Sequence, residues 1–260
     1  MKAFQVAKAA GFDVIHANTV HESWLSGPER NLYIQEAQKN RLAIDTMFVG
    51  FDGQSYADIH SVEKTVGILP LRDKREHRVN HVLEYSSFAK ELGVTSLGIH
   101  LGRIPEDKSI AEYTFLMHAM ERILDKCEEN NQLFNLETGQ EAPHHLRDFI
   151  QHVDRPNLGV NFDCGNFVLY GTSDPVAALD VLGPFVRGFH CKDGVGTTEP
   201  GKLGKEMPLG QGEVDFPTLL KNAVGYGFQG PWIIEREHGP NVLQEVQVGK
   251  RFLEDIVNAL

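Results

Sequence analysis

The sequence predicts an α/β protein of the (β/α)8 TIM-barrel class, in which the first strand is missing or not visible. Short apolar segments alternate with longer amphipathic ones along all 260 residues, which implies parallel strands joined by right-handed crossovers. Polar residues recur at the carboxyl ends of several strands, where a barrel keeps its active site. No glycine-rich fingerprint follows the first strand, which weakens the alternative of an open, dinucleotide-binding sheet.

Seven short apolar segments predict strands, and they are "FDVIHA", "LAIDTMFVGF", "VTSLGIHLG", "LFNLETG", "LGVNFDCGNFVL", "VRGFHCKDG" and "PWIIEREHG". Helical spacing predicts helices over 28–40, 77–92, 109–130, 143–153, 174–183, 215–227 and 241–260. The last of these has one apolar face, formed by Leu243, Val246, Leu253, Ile256, Val257 and Leu260. It is expected to pack on the rest of the domain.

The strand count is one short of a complete barrel, because the chain opens directly on a helical segment, "AFQVAKAAGF". A barrel normally begins with a strand before that helix. Either the first strand is missing, or "KTVGILPL" (64–71) replaces it, or the barrel is incomplete; we favour the missing strand. No linker rich in Pro, Gly or Ser divides the chain, so residues 1–260 are expected to form a single domain.

Charge and composition narrow the range of partners. The chain has 25 basic and 36 acidic residues, a net charge of −11, and such a surface repels nucleic acids and anionic membranes. No apolar run approaches the roughly 20 residues that span a bilayer, and the amino terminus lacks the apolar core of a signal peptide. Three widely spaced cysteines make a disulfide framework improbable. We expect a cytoplasmic protein that binds neither nucleic acid nor membrane.

Four predicted strand ends carry residues of metal-ligand type: Glu137, Asp163, His190 and Glu235. Three carboxylates and one imidazole suit a hard divalent cation such as Mn²⁺, Mg²⁺, Co²⁺ or Zn²⁺. One ion would also compensate several buried carboxylates, each of which is costly to bury alone. The sequence therefore predicts one divalent metal ion as cofactor.

Each of the four residues also has a structural interpretation, because a lone carboxylate at a strand end is more often a helix cap or an ion-pair member than a ligand. Asp163 could cap the segment that follows it, and a single His190 could be a hydrogen-bonded core histidine. Glu235 and Glu237 lie on one strand face, so the inward-facing one depends on the register. Four such residues on four strand ends are nevertheless hard to explain separately.

In this order, the segments "LETGQE", "VNFDCGN", "HCKD", "PLGQG" and "IERE" resemble the xylose isomerase-like TIM-barrel superfamily. That superfamily includes sugar isomerases, tagatose and psicose 3-epimerases, inosose dehydratases and family 2 apurinic endonucleases. The resemblance implies that Glu137, Asp163, His190 and Glu235 bind one divalent ion, and that Glu137 and Glu235 exchange protons with the substrate. The chain departs from the epimerase pattern at Asn166, where those enzymes often have a histidine.

Three further residues are candidates for substrate binding. His100 lies at another strand end, although a core histidine is an equal alternative. Lys192 and Asn135 share strand faces with His190 and Glu137, because each lies two residues away. Lys192 could hold a substrate oxygen or pair with a ligand carboxylate. Gly210 and Gly212 in "PLGQGEVDF" are better explained by a structural turn than by a ligand loop.

The main hypothesis is metal-assisted proton transfer at a carbon beside a carbonyl, through an enediolate, with a sugar or sugar-derived ketone as substrate. An inosose-type dehydratase would share the metal site. An abasic-site endonuclease would need three zinc ions and a basic groove, which the charge of −11 opposes. A metal-free sugar-binding protein is the alternative without catalysis. A homo-oligomer is compatible with this architecture.

Overall fold

The computed structural model describes residues 2–18, 25 and 27–260. The helices are α1 (Lys2–Ala9), α2 (Gly27–Asn40), α3 (Ile59–Thr65), α4 (Arg75–Glu91), α5 (Ala111–Glu129), α6 (Pro143–Val153), α7 (Cys164–Tyr170), α8 (Pro175–Leu182), α9 (Phe216–Gly225) and α10 (Val242–Val257). The strands are β1 (Val14–Asn18), β2 (Ala43–Val49), β3 (Ser96–Ile99), β4 (Leu133–Glu137), β5 (Leu158–Asp163), β6 (Val186–Cys191), β7 (Asp193–Val195), β8 (Lys205–Met207) and β9 (Trp232–Ile234).

All seven predicted strands are present, as β1 to β6 and β9, and the predicted alternation with helices is confirmed. Within the described residues, α1 is the element that precedes β1. The segment 64–71 contains no strand, so its proposed role as a replacement strand is wrong. None of the described helices is both long and apolar enough to cross a membrane.

The chain divides into two compact units, and we describe each separately. The first consists of Met1–Ser55, Val62–Leu136 and Arg155–Leu158, and the second of Tyr56–Ser61, Glu137–Asp154 and Gly159–Leu260. A single domain over residues 1–260 therefore stays a prediction.

The first unit contains β1, β2, β3 and the first four residues of β4, paired in parallel and in chain order. Buried aromatic rings join its helices, because Phe4 packs on Tyr33 at 5.1 Å between ring centroids and Tyr33 packs on Phe88 at 5.6 Å. Edge-on packing of this kind adds to the burial of the rings themselves. The α1, α2 and α4 helices are thus held by one aromatic cluster.

The second unit contains β6, β9 and all of β5 except its first residue, also parallel, with Asp163 paired to His190 in the β5–β6 register. Alternate residues point to opposite faces of a strand. The neighbours Phe162 and Phe189 therefore face away from the Asp163–His190 side, and their rings pack at 5.2 Å. Trp232 of β9 extends this aromatic layer, at 4.9 Å from Phe189. One sheet face is apolar and packed, and the other presents polar side chains.

The predicted fifth strand, "LGVNFDCGNFVL", was too long. The chain leaves the strand at Asp163 and forms α7 over Cys164–Tyr170. The cause is local, because Oδ1 of Asp163 accepts a hydrogen bond from the backbone N–H of Asn166 at 2.9 Å and so caps the new helix. Gly171, at a positive φ of 67°, ends the helix.

Candidate metal centre

Four side chains of metal-ligand type converge in the second unit: Glu137, Asp163, His190 and Glu235. Each offers one ligand atom, and these atoms all lie within 4.8 Å of one another. The structure thus brings together all four residues that the sequence predicted as ligands. We call this group the carboxylate–histidine cluster.

Strand ends position the cluster. Glu137 is the last residue of β4, Asp163 ends β5, and His190 is the fifth of six residues in β6. Glu235 follows β9 directly, and its backbone N–H donates to the carbonyl oxygen of Cys191 at 3.1 Å, which continues the sheet pairing by one residue. Carboxyl ends of parallel strands are where this class of fold gathers functional side chains.

The imidazole of His190 faces the carboxylates through one nitrogen. Nδ1 lies 2.9 Å from Oε1 of Glu137 and 2.7 Å from Oε2 of Glu235. Burial by itself would lower the pKa of His190, but the two carboxylates outweigh it and hold this pKa well above its usual value. The cluster is therefore a strongly negative environment that favours a positive charge at its centre.

Asp163 is the most constrained of the carboxylates. Its side chain is fully buried, and burial, followed by the negative charges of Glu235 and Glu137, raises its pKa well above the usual value in spite of Lys192. Oδ1 caps α7, whereas the buried Oδ2 accepts no hydrogen bond from the described residues. A buried carboxylate oxygen that accepts no aligned hydrogen bond, beside two other carboxylates and an imidazole, fits a hard divalent cation.

Lys192 carries the other positive charge near the cluster. Its buried Nζ lies 3.3 Å from Oδ2 of Asp163, 3.1 Å from Oε1 of Glu235 and 2.8 Å from Oε1 of Glu237. Burial would lower the pKa of Lys192, but these carboxylates raise it well above the usual value. Of the two carboxylates after β9, Glu235 thus joins the cluster, while Glu237 pairs with Lys192.

Asn161 holds Glu137 from β5. Its Nδ2 donates to Oε2 of Glu137 at 2.6 Å, which leaves Oε1 facing His190. Gly188 on the neighbouring strand makes room for this amide, because a Cβ there would lie 2.2 Å from Oδ1 of Asn161. Neighbours of this kind orient metal ligands and tune their affinity.

Thr138 and Asn166 tie the strand ends to one another. The hydroxyl of Thr138 donates to the carbonyl oxygen of Asp163 at 3.0 Å, and the N–H of Asp163 donates back to that hydroxyl at 2.8 Å. Nδ2 of Asn166 donates to the carbonyl oxygen of Thr138 at 3.1 Å. The backbones that carry Glu137 and Asp163 are therefore fixed before any ligand arrives.

Two of the predicted substrate-binding residues lie in the first unit. Asn135 is buried in β4, where its Nδ2 donates to Oγ of Ser96 at 2.9 Å, and His100 follows β3 in a half-buried position. Their contact with substrate stays a prediction. Lys192, by contrast, lies beside the cluster.

The loop that contains Gly210 and Gly212 is organised by a buried carboxylate. Oδ2 of Asp193 accepts the N–H groups of both glycines at 2.9 Å, and Oδ1 accepts the N–H of Gly194 at 2.9 Å and that of Val214 at 3.2 Å. A Cβ on Gly212 would lie 2.1 Å from Oδ1 of Asp193. These contacts are those of a structural turn, which the sequence favoured.

Sequence reasoning missed Asn161, Thr138 and Glu206. Asn161 had a detectable signal, because it lies two residues before Asp163 and so shares its strand face. Glu206 had none, since it lies in the three-residue strand β8, which pairs antiparallel with β7 in a hairpin that the sequence did not predict.

Comparison with known proteins agrees with this architecture. A family model described as "Xylose isomerase-like TIM barrel" matches residues 4–256. This chain belongs to that family. The resemblance noted from the sequence and the predicted TIM-barrel class are both confirmed.

Solved structures of the family superpose on the chain. A xylose isomerase domain protein from Planctomyces limnophilus is 32% identical, with a TM-score of 0.91 over 97% of this chain and 91% of that chain. A xylose isomerase-like TIM barrel protein from Mycobacterium smegmatis, in complex with magnesium, has 17% identity and a TM-score of 0.75 over 99% and 88% of the two chains.

D-allulose 3-epimerase from Methylomonas sp., in complex with D-allulose, has 17% identity and a TM-score of 0.69 over 98% of this chain and 90% of that chain. At these lower identities the likeness concerns the fold. Two curated relatives share 26% and 29% identity over 118 and 121 residues, and the match spans only 38% and 37% of their own lengths.

Proposed function

We propose that this protein is a divalent-metal-dependent sugar isomerase or epimerase, which moves a proton at a carbon beside a carbonyl. The observation that carries the proposal is the convergence of Glu137, Asp163, His190 and Glu235 within 4.8 Å. Family membership supports it, as does the likeness in fold to an epimerase that binds D-allulose.

Four residues would hold the metal, through three carboxylates and one imidazole. When bound, the ion would supply Lewis-acid polarisation of the substrate carbonyl. The charges fit a divalent ion, because among the described residues Lys192 is the one permanently cationic side chain that contacts these three carboxylates, besides the titratable His190.

Glu137 and Glu235 are the two proton-transfer groups in this proposal, and the chain holds them differently. Glu137 is fixed through Oε2 by Asn161 and has a side chain that is 1% exposed. Glu235 is 25% exposed, and its Oε2 accepts no aligned hydrogen bond from the described residues. That Oε2 is buried 2.7 Å from Nδ1 of His190, so in this proposal the more exposed carboxylate of Glu235 takes a proton from a substrate carbon, and Glu137 is held in place to return one.

Return of the proton to the opposite face of the same carbon gives epimerisation, and return to the neighbouring carbon gives isomerisation. Loss of a hydroxyl instead would give the dehydratase reaction. Among the described residues, one group of His, Cys, Asp and Glu side chains has the geometry of a metal site, which favours a single-ion enzyme over a three-zinc endonuclease.

The first test is the metal content of the purified protein, measured by elemental analysis after incubation with Mn²⁺ or Zn²⁺ and removal of the excess. We expect one ion per chain in the wild type and a loss of that ion in Glu137→Gln and His190→Ala. Glu213→Gln is the matched control, because Glu213 is an exposed carboxylate whose Oε2 accepts a backbone N–H from Gly196 outside the cluster. Unchanged metal content in both cluster variants would overturn the metal site.

The second test is solvent deuterium uptake into a panel of ketoses and aldoses, followed by NMR. Carbon-bound deuterium in a recovered or rearranged sugar would support proton transfer, and the product would distinguish an isomerase, an epimerase and a dehydratase. Metal binding without uptake into any sugar of the panel, and without dehydration, would count against an enzyme of this class.

A further inference from the structure

The second unit contains an open cavity of about 660 Å³ beside the carboxylate–histidine cluster. Lys192 and Asn166 line its inner end, and Lys192 is the residue that contacts Asp163 and Glu235. The four cluster residues are not part of its lining. The cavity therefore continues outward from the cluster instead of enclosing it.

The size of this cavity is a first clue to its ligand. Clefts for drug-sized molecules have volumes of about 300–1,000 Å³ and bury most of the ligand surface. A single monosaccharide is well below drug size, and the reacting part of a substrate must also reach the cluster. Because the cavity is open to solvent, its volume leaves room for a second ring beyond the reacting sugar, and the lining must decide what occupies that room.

The lining has the flat apolar surfaces that such a ring needs. Tyr56 and Tyr170 line the cavity together with the apolar side chains of Leu169, Leu203 and Met207. Aromatic rings with a polar tip offer an apolar face and a hydroxyl at the same time. A sugar ring has the complementary character, with C–H groups on its faces and hydroxyls around its edge.

Most charges in the cavity wall neutralise one another. The guanidinium of Arg236 lies 3.1 Å from Oε1 of Glu206 through Nη1, and its Nε donates to Oε2 of Glu245 at 2.7 Å. Lys192 is paired with Glu237. Two exposed lysines, Lys202 and Lys205, also belong to the lining. Among the described residues of the lining, each buried cation is thus paired with a carboxylate, an arrangement that suits sugar hydroxyls better than a phosphate.

The wall is also preformed. Glu206 accepts the backbone N–H of Glu237 at 2.9 Å through Oε1 and that of His238 at 3.1 Å through Oε2. One carboxylate of the β7–β8 hairpin thereby fixes the segment that follows Glu235. A fixed wall reduces the ordering cost of binding.

The geometry points to a subsite for a second, uncharged sugar ring: the substrate is a glycoside or disaccharide whose reacting ring is at the cluster and whose other ring packs against Tyr56. As an assignment of substrate class this inference rests on the proposed function, although the binding of the second ring can be tested without turnover.

The test uses ligand-detected NMR titration with maltose, cellobiose and sucrose, and with glucose and fructose as their component monosaccharides. The wild-type full chain is used, both with Mn²⁺ and with EDTA, and the same NMR spectra report any conversion of the sugars. We expect at least one disaccharide to bind about tenfold more tightly than either component, a difference of about 1.4 kcal/mol.

Two variants of Tyr56 then test whether the second sugar ring packs against this side chain. Tyr56→Ala should remove most of that advantage, whereas Tyr56→Phe should keep it, because the aromatic face is retained. Tyr226→Ala is the matched control, since Tyr226 is 42% exposed like Tyr56 but does not line the cavity. Competition with inorganic phosphate tests for an anionic ligand.

The inference is overturned if no disaccharide binds more tightly than its components, if Tyr56→Ala leaves the advantage intact, or if phosphate displaces the sugar. These outcomes are separable from those of the proposed function. Tyr56-dependent binding of a disaccharide without metal or turnover would support the subsite alone. Turnover of monosaccharides without any advantage for a second ring would support the proposed function alone.

Discussion

Lys192 places its buried ammonium 3.3 Å from Oδ2 of Asp163, an oxygen that accepts no hydrogen bond from the described residues. The same ammonium lies 3.1 Å from Oε1 of Glu235. A fixed positive charge in this position stabilises the carboxylates of the cluster before a metal binds, and it also repels the metal. Lys192 therefore stabilises the metal-free protein and weakens the binding of the metal ion.

Replacement of Lys192 by Met should separate these effects. Without metal, the variant should lose about 3–5 kcal/mol of stability, because removal of one partner leaves buried charges uncompensated. With saturating Mn²⁺ the loss should be much smaller, and Mn²⁺ affinity should rise severalfold. Urea unfolding with and without Mn²⁺, together with calorimetric titration, measures both. Lys205→Met is the control on an exposed lysine, and weaker Mn²⁺ binding in Lys192→Met would contradict the argument.

The two glutamates after β9 should differ sharply in their effect on metal binding. Glu235 belongs to the cluster, whereas Glu237 is about half exposed and contacts Lys192 at 2.8 Å. Glu235→Gln should lower metal affinity by more than about 100-fold and abolish turnover, and Glu237→Gln should stay within the range of roughly 10–100-fold that a supporting residue shows. Calorimetric titration of Mn²⁺ into both variants measures the difference. Equal losses would contradict the assignment of Glu235 as a ligand and Glu237 as a supporting residue.

Much of the fold and the cluster could be predicted from the sequence, because the spacing of apolar residues indicates the strands and the position of polar residues at strand ends indicates the site. Each predicted strand is a short apolar run, and each cluster residue is a polar side chain at the end of one. The prediction was wrong where a local hydrogen bond overrode the apolar pattern, as at Asp163, whose cap starts a helix inside the predicted strand. The strand-end carboxylate is thus both a helix cap and a member of the cluster.

The supporting residues were harder to predict, because strand periodicity does not say which of two equivalent side chains finds a partner. Asn135 and Asn161 each lie two residues before a cluster residue, and the sequence favoured Asn135. In the structure Asn135 bonds to Ser96, and Asn161 holds Glu137. The contacts of Glu206 depend on a hairpin of two three-residue strands, which is too short to give a periodic signal.

A single methyl group added at Gly212 should lower the stability of the second unit. A Cβ there would lie 2.1 Å from Oδ1 of Asp193, the carboxylate that gathers four backbone N–H groups. Gly212→Ala should therefore cost about 1–3 kcal/mol, as overpacking of a well-filled site does. Gly225→Ala is the control, because a Cβ there meets nothing within 4 Å. The midpoint of urea unfolding measures both, and equal midpoints would contradict the turn assigned to Asp193.

In the first unit, Asp45 should make stability depend on acid pH. Nε2 of His16 lies 2.9 Å from Oδ2 of Asp45, and this hydrogen bond, against the opposing effect of burial, lowers the pKa of Asp45. A carboxyl whose pKa is lower in the folded state than in the unfolded state contributes stability above its unfolded pKa of about 3.9, and it loses this contribution as the pH falls through the folded value.

The advantage of the wild type over Asp45→Asn should accordingly be greatest near pH 5 and shrink as the pH falls below about 4. Urea unfolding of both proteins between about pH 2.5 and 5 measures this difference, and the remaining carboxyls cancel in the comparison. Asp13→Asn is the control on an exposed carboxylate, paired with Lys8, for which a surface ion pair predicts a much smaller effect. An advantage that grew toward low pH would mean that Asp45 is held as the protonated acid, so that His16 would have to accept its proton instead of donating one.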